Sequence, residues 1–310
     1  MTSFLTSLIR RNTASAYRIF DIQLKAIEPL SPSLRRYVFT GEDVRHMNTL
    51  AADQRIKLFF PSPSGQLPSL PKDGKWQQAR RGLPAEHTPP MRTYTIRQLD
   101  REAREVAVDF VLHGVNGPAS AWATHARLGD RLQMVAPNLD YAGDPGGYEW
   151  KPPQGVKQVL LIGDETALPA IAGILEGLTL SQPELPAEVF VEVPLQSDCL
   201  QLLHSAATTV HWLPRDLLRC EHGHAMRHAV RELAQLPSMR VCTQPDLHDV
   251  DIEQSILWER ASGDPSEFYA WVAGESATVM EIRRYLLKER GLDRDSVTLM
   301  GYWRAGRSFE

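Results

Sequence analysis

Gln158-Val159-Leu160-Leu161-Ile162-Gly163-Asp164-Glu165-Thr166-Ala167-Leu168-Pro169-Ala170 is where the chain changes rhythm. Gln158 to Ile162 reads as an apolar β run of the kind buried on both faces, and Ala167 to Leu180 follows as a helix candidate. The same alternation continues downstream. Glu188 to Val193 and Thr208 to Leu213 read as strands, and His224 to Leu236 as a helix. Phe268 to Val272 is again a strand, Ala277 to Glu289 has a helical apolar pattern (Val279, Ile282, Leu286), and Val297 to Trp303 closes the series. Strand-helix alternation predicts a parallel sheet covered on both faces. The acidic, irregular stretch from Arg240 to Gly263 reads as an insertion.

Upstream, Asp144-Pro145-Gly146-Gly147 through Pro152-Pro153 has the composition of a linker. Before it the pattern is β only: Phe20 to Ala26, Arg36 to Thr40, Ile56 to Phe60, Thr93 to Leu99, Val106 to Leu112 and Arg131 to Val135. Six short strands with turn residues between them predict a small antiparallel barrel. The Pro-, Gly- and Lys/Arg-containing loop from Pro61 to Pro90 suits a mobile surface segment. The chain therefore divides into a barrel over 17–145 and an α/β unit over 154–310.

Composition narrows the function classes. The 310 residues are 43% hydrophobic and 23% charged, enough to bury a substantial core without covalent staples. Net charge is −4, from 34 Lys+Arg against 38 Asp+Glu, so no overall basic field favours nucleic acid. Cys199, Cys220 and Cys242 show no CxxC spacing, which argues against a disulfide framework, a zinc ribbon or a cysteine-ligated cluster. No apolar run is long enough for a membrane helix. The first twenty residues carry Arg10, Arg11 and Arg18 and no acid, but Phe4 to Ile9 is too short and broken for a signal core. A loose basic N-terminus and a cytoplasmic protein are the expectation.

Two segments in the barrel half carry chemistry. In Arg92-Thr93-Tyr94-Thr95-Ile96-Arg97, strand geometry sends Arg92, Tyr94 and Ile96 to one face and Thr93, Thr95 and Arg97 to the other. A guanidinium can fork onto a phosphate, and a tyrosine ring can lie against a planar heterocycle. β propensity and solubility explain the same letters equally well. The second segment is Asp109-Phe110-Val111-Leu112-His113, then Gly117-Pro118-Ala119-Ser120-Ala121-Trp122-Ala123. A Gly-Pro turn into small residues can open a helix whose first N–H groups meet a phosphate. The competing reading is a capped connecting helix with Trp122 in the core.

Taken in order, these segments resemble the siderophore-interacting protein family of FAD-containing ferric-siderophore reductases, related to the ferredoxin reductases. The resemblance runs from about Tyr17 to Arg307. Lys57-Leu58-Phe59-Phe60-Pro61, Gly163-Asp164-Glu165-Thr166-Ala167-Leu168-Pro169-Ala170, Trp271-Val272-Ala273-Gly274-Glu275 and Gly301-Tyr302-Trp303 add to it. It implies a six-stranded antiparallel Greek-key flavin-binding barrel, then a C-terminal parallel α/β nucleotide-binding domain. It also implies roles for single residues. Arg92 would neutralise FAD phosphate, Tyr94 would pack on the isoalloxazine and Thr95 would sit near its N5 edge, with Ile96 and Arg97 beside them. Asp109, Val111 and His113 would border the ribityl and adenosine parts. Ala119 and Ser120 would bind pyrophosphate through backbone amides, with Trp122 adjacent.

In the second domain the resemblance places Asp164, Glu165 and Thr166 facing the nicotinamide nucleotide, with Gly274, Glu275 and Ser276 opposite. Acids near a helix start are also ordinary caps. The turn lacks the GxGxxG pattern of a standard dinucleotide fold. Arg215 is a candidate for a 2′-phosphate. Lys57, then Arg304 and Arg307, would line a basic recess for an anionic ferric siderophore, although Lys57 also reads as an edge-strand lysine. Ala136-Pro137-Asn138-Leu139 stands where some family members have Gly-Pro-Arg-Gly, which leaves the siderophore class open. The expected activity moves electrons from NADPH or NADH through FAD to a ferric chelate. Alternatives are a reduced ferredoxin as donor, or a flavin-bearing siderophore carrier with little turnover.

Overall fold

The computed structural model describes residues 14–72, 74–112, 117–238 and 255–306. The basic N-terminus to residue 13, His113, the bulk of the 240–263 insertion with Cys242, and Arg307 lie outside the described residues.

The first domain is one antiparallel sheet of β1 (Tyr17–Ser31), β2 (Leu34–Thr40), β3 (Arg55–Phe59), β4 (Met91–Thr95), β5 (Gln98–Asp100), β6 (Glu105–Val111) and β7 (Arg131–Pro137), in the order β4-β3-β7-β1-β2-β6-β5. Period-2 sequence builds it. Phe20, Ile22 and Leu24 of β1, Tyr37 and Phe39 of β2 and Val106, Val108 and Phe110 of β6 turn into one core. The barrel has seven strands, not six, because the run Thr93 to Leu99 breaks in its middle. The Ile96 amide donates to the Gln54 carbonyl (2.9 Å) and the next amide, Arg97, donates to the Ala107 carbonyl (2.9 Å). Consecutive amides thus bond opposite rims of the sheet, and β4 and β5 fall on its two edges. Tyr94 of β4 closes the gap by stacking on Phe110 of β6, with centroids 4.2 Å apart at 29°.

The Pro61–Pro90 loop is more built than its composition suggests. It carries α1 (Trp76–Arg81), and Leu70 and Trp76 bury against Ile19, Phe59, Met91 and Val135 on the outer face of the sheet. The Leu70 amide donates to Gln133 Oε1 at 2.7 Å. Then α2 (Pro118–His125) crosses between β6 and β7.

The second domain holds β8 (Gln158–Gly163), α3 (Leu168–Ser181), β9 (Ala187–Val193), β10 (Thr208–Pro214), α4 (Arg215–Leu218), α5 (His224–Glu232), β11 (Trp258–Glu259), β12 (Phe268–Glu275), α6 (Ser276–Arg283) and β13 (Val297–Trp303). The sheet order is β10-β9-β8-β12-β13-β11. Every pairing is parallel except β11, which runs antiparallel to β13 and makes the sheet mixed. β12 is buried along its whole length, as a central strand covered by helices on both faces must be. α5 stops at Glu232, four residues short of the expected end, and α6 continues as a π-helical stretch, Arg284–Glu289.

The two domains share packing. Leu34 of β2 belongs to the same apolar cluster as α3 and β8, and Ala52 lies against Gly173 of α3, where a Cβ would come within 3.1 Å of it. Asp53, 1% exposed, accepts from the backbone amides of Glu149 and Trp150 and from Trp271 Nε1. Asp198 accepts from Ser31 Oγ and the Ser33 amide.

Candidate functional site

β4 ends where the two domains meet. Its register with β3 pairs Arg55 with Thr95, Ile56 with Tyr94, Lys57 with Thr93 and Leu58 with Arg92. The faces therefore divide as strand geometry requires: Tyr94 and Arg92 share the side of core residues Ile56 and Leu58, and Thr93 and Thr95 share the side of Lys57 and Arg55. Phe110 takes one face of the Tyr94 ring, and burial raises the phenol pKa. Arg92 Nη1 donates to the Met91 carbonyl at 2.7 Å, at the end of the same strand. Thr95 is buried and Ile96 is part of the barrel core.

Lys57 lies on an inner strand between β4 and β7, so the edge-strand reading fails. Its Nζ donates to Thr93 Oγ1 at 3.3 Å. Burial pushes its pKa down, and the positive charges of Arg55 and Arg80 add to that. Arg80 reaches this patch because α1 folds back over the outer face, and its Nε donates to the Pro89 carbonyl at 3.0 Å. Sequence reading had no way to place Arg80 here; its only signal was a basic pair, Arg80-Arg81, inside a loop. Arg55 is partly neutralised by Glu149 (2.8 Å) and lies over the Trp258 ring.

Three expected cofactor contacts are otherwise committed. Both Asp109 oxygens accept from Arg36 (2.7 and 3.0 Å), and the residue is 7% exposed. Arg97 pairs with Glu176 of α3 and lies 3.9 Å from Asp109. Trp122 packs among Tyr37, Phe39, Phe60 and Phe110, so the core reading of that residue stands. Val111 closes β6, half-buried and opposite Leu34.

α2 suits an anion. Its N-cap, Gly117, is extended, Pro118 has no amide, and the first intrahelical bond is from the Ala121 amide to the Gly117 carbonyl (2.8 Å). The amides of Ala119 and Ser120 are the first-turn groups that a helix leaves without internal acceptors. Among the described residues a Cβ at Gly117 would meet nothing within 4 Å, while the Ala119 methyl faces the barrel core.

At the carboxyl end of the parallel strands, Asp164 is fully buried and saturated. Oδ1 accepts from the Thr166 amide and hydroxyl, and Oδ2 from the Glu275 amide (3.0 Å) and Trp303 Nε1 (2.8 Å). Gly274 is required at this approach: a Cβ there would lie 2.8 Å from Asp164 Oδ2. Asp164 does not cap α3, whose N-cap is Ala167; it ties the β8 turn to the start of α6 and the end of β13. Glu275 is the N-cap of α6 and accepts from the Thr278 amide, and Ser276 Oγ donates to the Trp303 carbonyl. Gly274 and Glu275 thus stand directly against Asp164, with Ser276 following.

Glu165 accepts from Arg215 through both oxygens at 2.9 Å, and Glu192 takes a third bond from the same guanidinium at 3.2 Å. Arg215, the 2′-phosphate candidate, is already balanced by two carboxylates. His222 completes the cluster at 3.4 Å from Asp164 and 3.8 Å from Glu165, edge-on to Trp303. Burial opposes its charge, but Asp164, with Glu165 and Glu192, raises its pKa overall; His222 in turn helps to hold the Asp164 carboxyl down. Arg304 follows Trp303, half-buried.

Two family models match successive parts of this chain in the order of its domains. Residues 23–141 match the siderophore-interacting FAD-binding domain and residues 156–306 match the siderophore-interacting protein. The chain belongs to the siderophore-interacting protein family. Among its relatives, ferric vibriobactin reductase ViuB of Vibrio cholerae is 28% identical over 91% of this chain and 88% of its own. The NADPH-dependent ferric-chelate reductase of Escherichia coli is 26% identical over 93% of this chain and 94% of its own. A siderophore utilization protein from T. fusca, of known crystal structure, superposes with a TM-score of 0.73 at 26% identity, covering 94% and 95% of the two chains. The barrel is thus a FAD-binding domain, and the first-turn amides of α2, Arg92 and the Tyr94–Thr95 pair are groups of the right chemistry for that cofactor. No helix among the described residues is long and apolar enough to cross a membrane.

Proposed function

We propose that the protein is a ferric-siderophore reductase, taking electrons from NADPH or NADH and delivering them through FAD to a ferric chelate. The observation that carries this reading is the position of Lys57: on the strand beside β4, on the face of Thr93 and Thr95, with Arg80 brought up to it. A basic recess beside the flavin strand collects anionic ferric chelates by electrostatic focusing.

Arg92 and the first-turn amides of Ala119 and Ser120 would hold the pyrophosphate of FAD. Tyr94, backed by Phe110, would offer its ring to the planar heterocycle, with Thr95 beside it on the strand. FAD, when bound, supplies the division of a two-electron donation into one-electron deliveries. The Asp164–Glu275–Trp303 knot, with Ser276, fixes the opposite wall, where a nicotinamide would lie at the sheet's carboxyl edge. One nicotinamide oxidised balances two ferric ions reduced and releases one proton. Ferrous iron then leaves its hard oxygen ligands more readily.

The test is the visible spectrum of the purified protein, followed by anaerobic mixing with each nicotinamide and ferrous trapping with a chelator. A flavin spectrum that bleaches with NADPH or NADH and recovers with a ferric siderophore, with trapped ferrous iron, is the expected result. Flavin that stays oxidised with both nicotinamides but bleaches with reduced ferredoxin assigns the donor differently. Bleaching without ferrous release makes the protein a carrier.

A further inference from the structure

Arg97 leaves β4 two residues after Thr95, and its guanidinium points across the domain boundary. It donates through Nη1 to Glu176 Oε2 at 2.9 Å and through Nη2 to Glu176 Oε1. Behind it stand Asp109 at 3.9 Å and, bidentate on Asp109, Arg36. Four charges of alternating sign thus run from β2 of the barrel through β6 and the end of β4 to α3. The Arg97 side chain is 8% exposed, so solvent screens the pair weakly, and two bonds to a planar fork fix direction as well as distance.

The last link of this chain of charges joins the two elements that carry the proposed chemistry. Arg97 is continuous with the strand that carries Tyr94 and Thr95. Glu176 is on α3, the helix that follows the Gly163–Thr166 turn of the proposed nucleotide wall. Other contacts across the boundary include Asp53 with the linker and Trp271, Ala52 against Gly173, Asp198 with the β1–β2 turn, Arg55 over the Trp258 ring and Leu34 in the α3 cluster. These hold the domains together, and the Arg97–Glu176 pair adds a directional tie from the segment that continues the flavin strand itself to α3.

We propose that Glu176, acting through Arg97, is a positioning residue that fixes the angle between the flavin strand and the nucleotide wall, and with it the rate at which a nicotinamide reduces the flavin. The proposal rests on the reading of the protein as a nicotinamide-fed reductase. Rates of transfer between two bound groups are sensitive to displacements near 1 Å, so loss of the pair slows reduction on the order of tenfold or more.

The test uses Glu176→Gln in the full FAD-loaded chain; Glu176 is a partly exposed helix residue, so the change does not threaten folding. Spin labels at Arg101→Cys on the barrel and Leu180→Cys on α3, with Cys199, Cys220 and Cys242 changed to alanine, report the inter-domain distance distribution by pulsed EPR. Stopped-flow reduction by NADPH or NADH, flavin content, and reoxidation of dithionite-reduced flavin by a ferric chelate are measured alongside. The expected result is a broadened distribution and slower reduction in E176Q, with flavin content and reoxidation as in the unsubstituted chain. A general structural defect would move those last two as well. An unchanged distribution overturns the proposal, as does a broadened one with reduction as fast as before. Unsubstituted protein that neither nicotinamide reduces counts against the donor reading instead, and the distance distribution then decides the positioning role alone.

Discussion

Single residues decide how the barrel meets charge. Arg92 stands on an edge strand within the FAD-binding domain, opposite Leu58. Replacing it by alanine withdraws a cation from a phosphate that no other arginine of its segment can reach, since Arg97 is engaged by Glu176. Arg92→Ala is expected to purify with most of its flavin lost, a cost of about 2 kcal/mol or more for one charged hydrogen-bonding group. Stoichiometric flavin at unaltered affinity would reject this role. Lys57 is expected to act on the other substrate. Lys57→Ala raises KM for anionic ferric chelates several-fold and leaves flavin content alone. The lysine pKa is lowered by burial and by its arginine neighbours, so its charge is lost earlier than a free lysine's on going alkaline. The KM of the unsubstituted enzyme therefore climbs on the alkaline side, and that of Lys57→Ala stays flat there; matching profiles would remove Lys57 from the recess.

Among elements, the linker shows how much one acid can hold. Asp53 collects two linker amides and the Trp271 indole at once. Asp53→Ala leaves three buried donors without an acceptor and is expected to lower unfolding stability by about 3 kcal/mol in a urea titration. A loss below 1 kcal/mol would mean that water replaces the carboxylate. Most elements were readable because their cause is local. Alternation in β1 and β6, the apolar run of β8 and the helical period of α3 are properties of the strings themselves. The break at Ile96–Arg97 was not readable, because nothing in those two letters says that one amide will bond each rim. Nor was β11, two residues long, which exists only because β13 offers an edge. The site divided along the same line. Tyr94, Thr95, Lys57 and the Asp164–Glu275 opposition follow from motif and register. Arg80, Glu176 and His222 arrive by tertiary contact, and the commitment of Asp109 to Arg36 depends on a strand pairing far apart in sequence.

The whole molecule carries an acidic knot at the edge of its second sheet, and pH reads it. Folding raises the His222 pKa, so the protonated imidazole is favoured in the fold. Its contribution is fully present below the ordinary histidine range, near 6.5, and fades as pH rises through the higher folded value. Asp164 has the opposite sign: its lowered pKa gives stability that is present at neutral pH and lost in acid. Thermal unfolding from pH 6 to 9 should therefore show a decline that His222→Asn largely removes. Parallel curves for the two proteins would show that the imidazole stays neutral. The shared apolar cluster has a further effect on the chain as an assembly. Leu34 of the first domain is walled in by the second, and Asp53 is answered by amides that follow the barrel. A protease that nicks the chain at exposed Gly155 would sever the covalent thread without liberating either piece, because each half supplies part of the other's interior. The two fragments would travel together until a denaturant parted them, like one body in two pieces.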